Sequence, residues 1–222
     1  MGDIQVCTGQ SSGQRYRYAL VFSISGDVRF ISHHDVLRMF RRALARASVP
    51  IRFSEGFNPH PRMMIPLPRP VGVASEVETI VLELSREVDL YDALQRLRQE
   101  MPAGVRLLNG RRLLRGERLA PKTVTYQLEV TDDAPSDLDK RIRAILESEV
   151  IEVKRANRKD KSVRTVDVRP YLADIRRRGP SVEFVLRITE RGTARTAEIA
   201  GLLGYDPDFI NHRVRRIEVQ WQ

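Results

Sequence analysis

The 222-residue chain has one cysteine, Cys7, so it can form no internal disulfide, no paired-cysteine zinc site and no three-thiolate cradle for an iron–sulfur cluster. It has no apolar run approaching the roughly 18 residues that cross a bilayer, and no apolar signal core near its start. A cytoplasmic protein with no membrane partner is the expectation. G-x-G-x-x-G, Walker and G-x-S-x-G motifs are all missing, which removes the usual nucleotide-binding and acyl-transfer readings. The four histidines include no H-x-H or H-x-x-x-H pair that would set two ligands on one face, so neither a metal nor another cofactor is expected. With 41% hydrophobic and 30% charged residues the chain is neither disordered nor fibrous, and its length suits one large domain or two of about 100 residues.

What is present in excess is positive charge. Lys and Arg number 38 against 29 Asp and Glu, a formal net charge of +9, and the excess sits mostly after residue 100. Nearly all the cations are arginines, whose planar fork matches phosphate bidentately and stacks on bases. Nucleic acid is therefore the leading partner class, with no DNA partner predicted. A solvated arginine-rich surface would give the same composition, so charge alone does not separate the two.

Residues 1–14, rich in Gly, Ser, Thr and Gln without an apolar period, read as a disordered leader. From Tyr16 to Ile24 a period of two predicts a strand, and Ser25-Gly26-Asp27 predicts a turn into a second strand at Val28–Ile31. Ser32, with Asp35 three residues on, opens a helix whose apolar stripe is Leu37, Phe40, Leu44 and Ala47 and whose opposite face carries Arg38, Arg41, Arg42 and Arg46. Alternation over Glu76–Leu84 predicts a strand, Asp89–Gln99 a helix, and Val105–Leu108 a closing strand. The later half repeats this order less cleanly, with strands at 123–130, 150–154, 163–168, 182–188 and 214–219 and helices at 136–147 and 196–203. The expected fold is α+β: tandem ferredoxin-like split β-α-β sandwiches over 15–109 and 122–222, joined by a basic linker at 110–121.

The segments GDVRFISHHD, FSEGFNPHPRMMIPLPRPVGVASEVETIVLEL, SVRTVDVRPYLADI and GTARTAEIAGLLGYDP resemble a bacterial family, the radical-SAM-linked proteins of the DUF2344 type. The resemblance implies a neighbour or fusion partner that is a radical S-adenosylmethionine enzyme, and an accessory role near RNA modification or processing. The family pattern has one His followed by an apolar residue at the His33-His34 position. The resemblance thus makes His33 the family position and His34 a structural residue.

Proline on both sides of His60, beside Asn58, stiffens the GFNPHP loop and leaves little entropy to lose on meeting a ligand. Arg52 and Arg62 bracket it as phosphate contacts, and Arg29 joins them. His33, at a helix start where the dipole disfavours imidazolium, and His60 are the candidates for proton transfer. The densest basic segment is a hairpin tip at 154–164 with Lys154, Arg155, Arg158, Lys159, Lys161 and Arg164, extended by Arg176–Arg178 and by Arg213, Arg215 and Arg216. Tyr16, Tyr18 and Phe22 alternate as a stacking platform would, but the same stripe is what a sheet needs beneath its helices. Three functions follow: an RNA-binding accessory of a radical SAM enzyme acting on tRNA or rRNA, a metal-independent ribonuclease using His33 or His60 as acid or base, and a protein adaptor that does not touch RNA.

Overall fold

In the computed structural model, which describes residues 15–132, 134–156 and 162–222, the alternating segment Tyr16–Ile24 forms strand β1. The leader expected over 1–14 lies outside the described residues. β1 turns Tyr18, Leu20, Phe22 and Ile24 into one core, because successive strand residues face opposite sides. The Tyr18 and Phe22 stripe is therefore core and not a stacking surface. Helix α1 (His33–Arg46) starts where the Ser32 hydroxyl accepts the Asp35 N–H at 3.2 Å and donates to the Asp35 carboxylate at 2.7 Å. Its buried Phe40 meets Phe22 edge to face, with ring centroids 4.8 Å apart. A two-residue strand β2 (Met63–Met64), a long strand β3 (Ala74–Leu84), helix α2 (Leu90–Gln99) and strand β4 (Val105–Arg112) complete the first half.

The second half runs β5 (Pro121–Glu129), α3 (Leu138–Glu147), β6 (Glu152–Ala156), β7 (Val163–Asp167), β8 (Leu172–Arg178), β9 (Ser181–Arg187), α4 (Thr196–Leu202) and β10 (Val214–Trp221). The chain is thus a mixed α/β protein, with four α-helices among the described residues and one eight-stranded sheet ordered β4-β1-β3-β10-β5-β9-β8, with β2 also on β3. Neighbours are antiparallel except β3 and β10, which run parallel with Ala74 opposite Arg215 and Ser75 opposite Arg216. That short parallel joint fuses the halves into one sheet, each half keeping its own apolar core.

Four expectations change. Val28–Ile31 is no strand: Gly26–Phe30 coils as a 3-10 turn, since Gly26, at φ +61°, bends the chain off β1 toward α1. The strands expected near 150–154 and 163–168 do form, but β6 and β7 pair only with each other and stand apart as a two-stranded hairpin. Their place at the sheet edge is taken by β8, which periodicity did not reveal. Finally, 110–112 belong to β4 and Pro121 opens β5, so the connection is 113–120 and not free of the fold. Leu113 is buried against Ala19 and Val81 on the sheet face away from the helices. The connection's charge is also partly neutralised: Glu117 takes a hydrogen bond from the Arg111 guanidinium and another from the Leu114 N–H, which hold its carboxyl down at about 2.

Candidate nucleic-acid interface

The expected RNA-contacting residues fall into three places. At one end of β3 the hairpin formed by 51–53 and 61–63 carries the GFNPHP loop, closed by the Ser54 N–H on the His60 carbonyl at 2.7 Å and the His60 N–H on the Ser54 hydroxyl at 2.9 Å. Asn58, His60 and Arg62 are exposed, and their side chains hold no internal hydrogen bond or ion pair among the described residues. Arg52 is different: its guanidinium is 2.8 Å from the Glu83 carboxylate and 3.7 Å from Glu55, so it braces the hairpin. Phe57 at the loop tip is wholly exposed, a residue that sequence reasoning passed over while naming its neighbours.

At the other end of the first half lie Arg29 and His33. Arg29 is half-buried, its Nε has no partner, and its guanidinium sits 5.0 Å from the Phe30 ring centroid. His33 faces a cavity of about 10 Å³ shared with Phe22, Arg69 and Glu78, room for about one water and none for a nucleotide. Glu83, beside Arg62, and Glu78, beside His33, are five positions apart on β3, roughly 16 Å at about 3.3 Å per residue. His33 and His60 are not brought together.

The orientation of the histidine pair runs against the expectation that His34 is the structural residue. His34 is exposed, and His33 turns inward with its Nδ1 buried and unpartnered. Burial, then the neighbouring His34, lower the His33 pKa from 6.5, while Glu78 opposes them; Arg69 also lines the cavity. Because the unfolded chain then binds a proton more readily than the folded one, this contribution is complete above about pH 6.5 and is lost as pH falls below it. Melting temperature should drop between pH 7.5 and 5.5, and His33→Gln should flatten that drop. Asp35 and Asp137, whose carboxyls are lowered by hydrogen bonds to Ser32 and Arg141, weaken the fold only at lower pH. An unchanged slope in the variant would remove His33 as its source.

Next to His33 is a cluster that charge counting misassigned. Arg216 was expected to widen the basic surface, yet it is 1% exposed and bound at 2.8 Å to Glu78, itself 2% exposed. Its guanidinium also donates to the Leu67 and Pro68 carbonyls and to the Tyr126 hydroxyl. Arg176, Arg177 and Arg178 pair with Asp174, Glu183 and Asp139, which leaves that triplet little free charge.

The third place is the β6–β7 hairpin. Lys154 and Arg164 are exposed. Arg155 is held at 2.7 and 2.8 Å by both oxygens of Glu198 on α4, and it donates further to the Thr193 carbonyl. Arg158, Lys159 and Lys161 lie outside the described residues. Beside the hairpin is a cleft of about 830 Å³ whose lining also includes Leu67, Pro68, Pro70 and Val71. Among the described residues no group of three or more His, Cys, Asp or Glu could hold a metal, and no helix is long and apolar enough to cross a membrane.

A family described as an uncharacterised protein conserved in bacteria, DUF2344, matches residues 17–198. No curated protein matches the chain. Among solved structures, that of an unknown protein from Galdieria sulphuraria aligns over 94% of this chain and 99% of its own, at 12% identity and a TM-score of 0.27.

Proposed function

The chain belongs to the DUF2344 family of bacterial proteins, and from that premise we propose that it is a cytoplasmic RNA-binding accessory protein, working beside a radical S-adenosylmethionine enzyme on tRNA or rRNA. We further propose that each half is a ferredoxin-like sandwich. The strand orders β4-β1-β3-β2 and β10-β5-β9-β8 support this, being the same interleaved antiparallel order with β6–β7 inserted in the second. With one cysteine, the chain leaves any cluster chemistry to its partner.

One observation carries the RNA reading: Phe57 stands entirely in solvent at the tip of a proline-stiffened loop, beside Asn58, His60 and Arg62, whose side chains have no internal partner among the described residues. Leaving a phenylalanine uncovered forgoes about 1.5–3 kcal/mol of burial, whereas a base stacked on it returns about 1–3 kcal/mol. Unpaired RNA offers both the base and the phosphate that Arg62 needs. The ribonuclease reading has less behind it: His60 is exposed and His33 faces a cavity with room for about one water, so neither has a built substrate pocket beside it. The adaptor reading draws on Phe53 and Met64, exposed near Phe57, which a protein surface would cover equally well.

Fluorescence anisotropy with tRNA and with an unstructured RNA oligomer distinguishes these readings. Affinity should fall steeply from 50 to 200 mM salt. Phe57→Ala should cost about 5- to 100-fold at an unchanged salt slope. Arg62→Ala should instead make the slope shallower by about one. Absence of binding at low salt overturns the RNA reading; a nuclease-resistant complex with the radical enzyme, lost in Phe57→Ala, would then support the adaptor.

A further inference from the structure

The cleft beside the β6–β7 hairpin is large enough to take a ligand, and its lining is chemically biased. About 830 Å³ lies within the roughly 300–1,000 Å³ of small-molecule sites, and an apolar floor of Val124, Leu186 and Ile188 shares the lining with the rings of Pro68 and Pro70. No Asp or Glu is among the described residues that line it. Three arginines do line it. Arg155 is neutralised by Glu198, which engages it through both carboxylate oxygens. Arg195 reaches that same carboxylate only at 3.8 Å. Arg164 is exposed and holds no internal ion pair among the described residues. Among the described residues, three arginines thus face a single nearby carboxylate, Glu198, and the cleft lining keeps a net positive charge.

A second observation is independent of charge. The Thr193 hydroxyl, also in the lining, is buried and without a hydrogen-bond partner. A buried hydroxyl left unsatisfied costs about 1–3 kcal/mol, and native proteins keep few of them. A ligand oxygen seated in the cleft would satisfy it.

We infer that the cleft seats a single nucleotide unit, a nucleoside monophosphate either free or at the end of an RNA chain. Its phosphate meets Arg164 and Arg195, a ligand oxygen meets the Thr193 hydroxyl, and the base lies against the apolar floor and the two prolines. The identity of the ligand as a nucleotide rests on the RNA reading above, whereas the preference for an anion with an apolar body does not.

Calorimetric titration of the full chain with nucleoside 5′-monophosphates, the matching nucleosides and inorganic phosphate tests this. Monophosphates should bind at least tenfold more tightly than either the nucleosides or phosphate. Arg164→Glu and Val71→Trp, both at exposed positions, should each weaken binding at least tenfold with melting temperature little changed. RNA oligomers with and without a terminal phosphate separate the two sources: a preference for the phosphorylated end assigns the cleft to RNA termini, and no preference assigns it to free nucleotide. Monophosphate binding without RNA binding keeps the cleft and overturns the RNA reading. RNA binding that needs Phe57, with no monophosphate bound, overturns the cleft and keeps the RNA reading. Monophosphate binding indifferent to both variants also overturns the cleft.

Discussion

Arg216→Ala should lower the free energy of unfolding by about 3–5 kcal/mol, the usual cost of leaving one partner of a buried ion pair without the other. Arg216 and Glu78 are both essentially sealed from water. Removing the guanidinium would leave the carboxylate beside an apolar core, and would also take a donor from the Leu67 and Pro68 carbonyls. Glu78→Ala should cost a similar amount, because Arg216 would then keep a charge with no counterion. Against a total stability of about 5–15 kcal/mol, either variant should lose a large fraction of the fold's margin. Urea midpoints measured at 25 °C read the effect. The double variant Glu78→Leu with Arg216→Met should recover most of the loss, since it removes both charges and keeps the volume. It should not recover all of it, because the two carbonyls still lack their donor. Single variants within about 1 kcal/mol of the parent would mean that the pair is solvated and weak.

This pair sits at the joint of the two halves, beside the Ser75–Arg216 register of β3 and β10. β3 and β10 lie more than a hundred residues apart in sequence, so no local pattern announces that they pair. The residues themselves did carry a sign. Alternation along β3 places Glu78 on the same face as Ile80, Leu82 and Leu84, and alternation along β10 places Arg216 with Val214. A carboxylate and a guanidinium at apolar positions of two strands are each costly alone, and they are explained by meeting each other.

Elsewhere, the elements that local rules could reach were legible. The caps of α1 and α2 sit at Ser32 and Asp89, as side-chain acceptors ahead of apolar periods demand. β1 and β3 follow from strict alternation. β8 escaped because a register shift between Leu172 and Asp174 spaces its inward residues, Leu172 and Ile175, three apart, which is not a strand period. The 3-10 turn escaped because Val28, Phe30 and Ile31 favour strands, while the need to reverse from β1 into α1 overrides that propensity. The candidate site shows the same division. The exposed GFNPHP loop could be read from its prolines, whereas the fates of Arg52 and Arg155 depended on carboxylates, Glu83 and Glu198, placed opposite them by the fold.

Glu198 also gives the second large effect. Its carboxylate takes two hydrogen bonds from Arg155, at 11% exposure for both side chains, and one more from the Arg195 N–H at 2.8 Å. Arg155 has Arg164 directly across the hairpin, so within β6–β7 alone two like charges oppose each other. The hairpin therefore depends on α4 for the charge that lets it close. Glu198→Ala should accordingly cost on the order of 3 kcal/mol, concentrated in the hairpin and not spread over the sheet. Amide exchange is the measurement: protection in β6 and β7 should fall by about two orders of magnitude, while β1, β3 and β5 keep theirs. Arg155→Met should lose less than Glu198→Ala, because it removes the repulsion along with the ion pair and keeps the apolar stem. Uniform loss of protection across all strands would show that the hairpin unfolds only with the whole protein, and would place the Arg155–Glu198 contact among global supports.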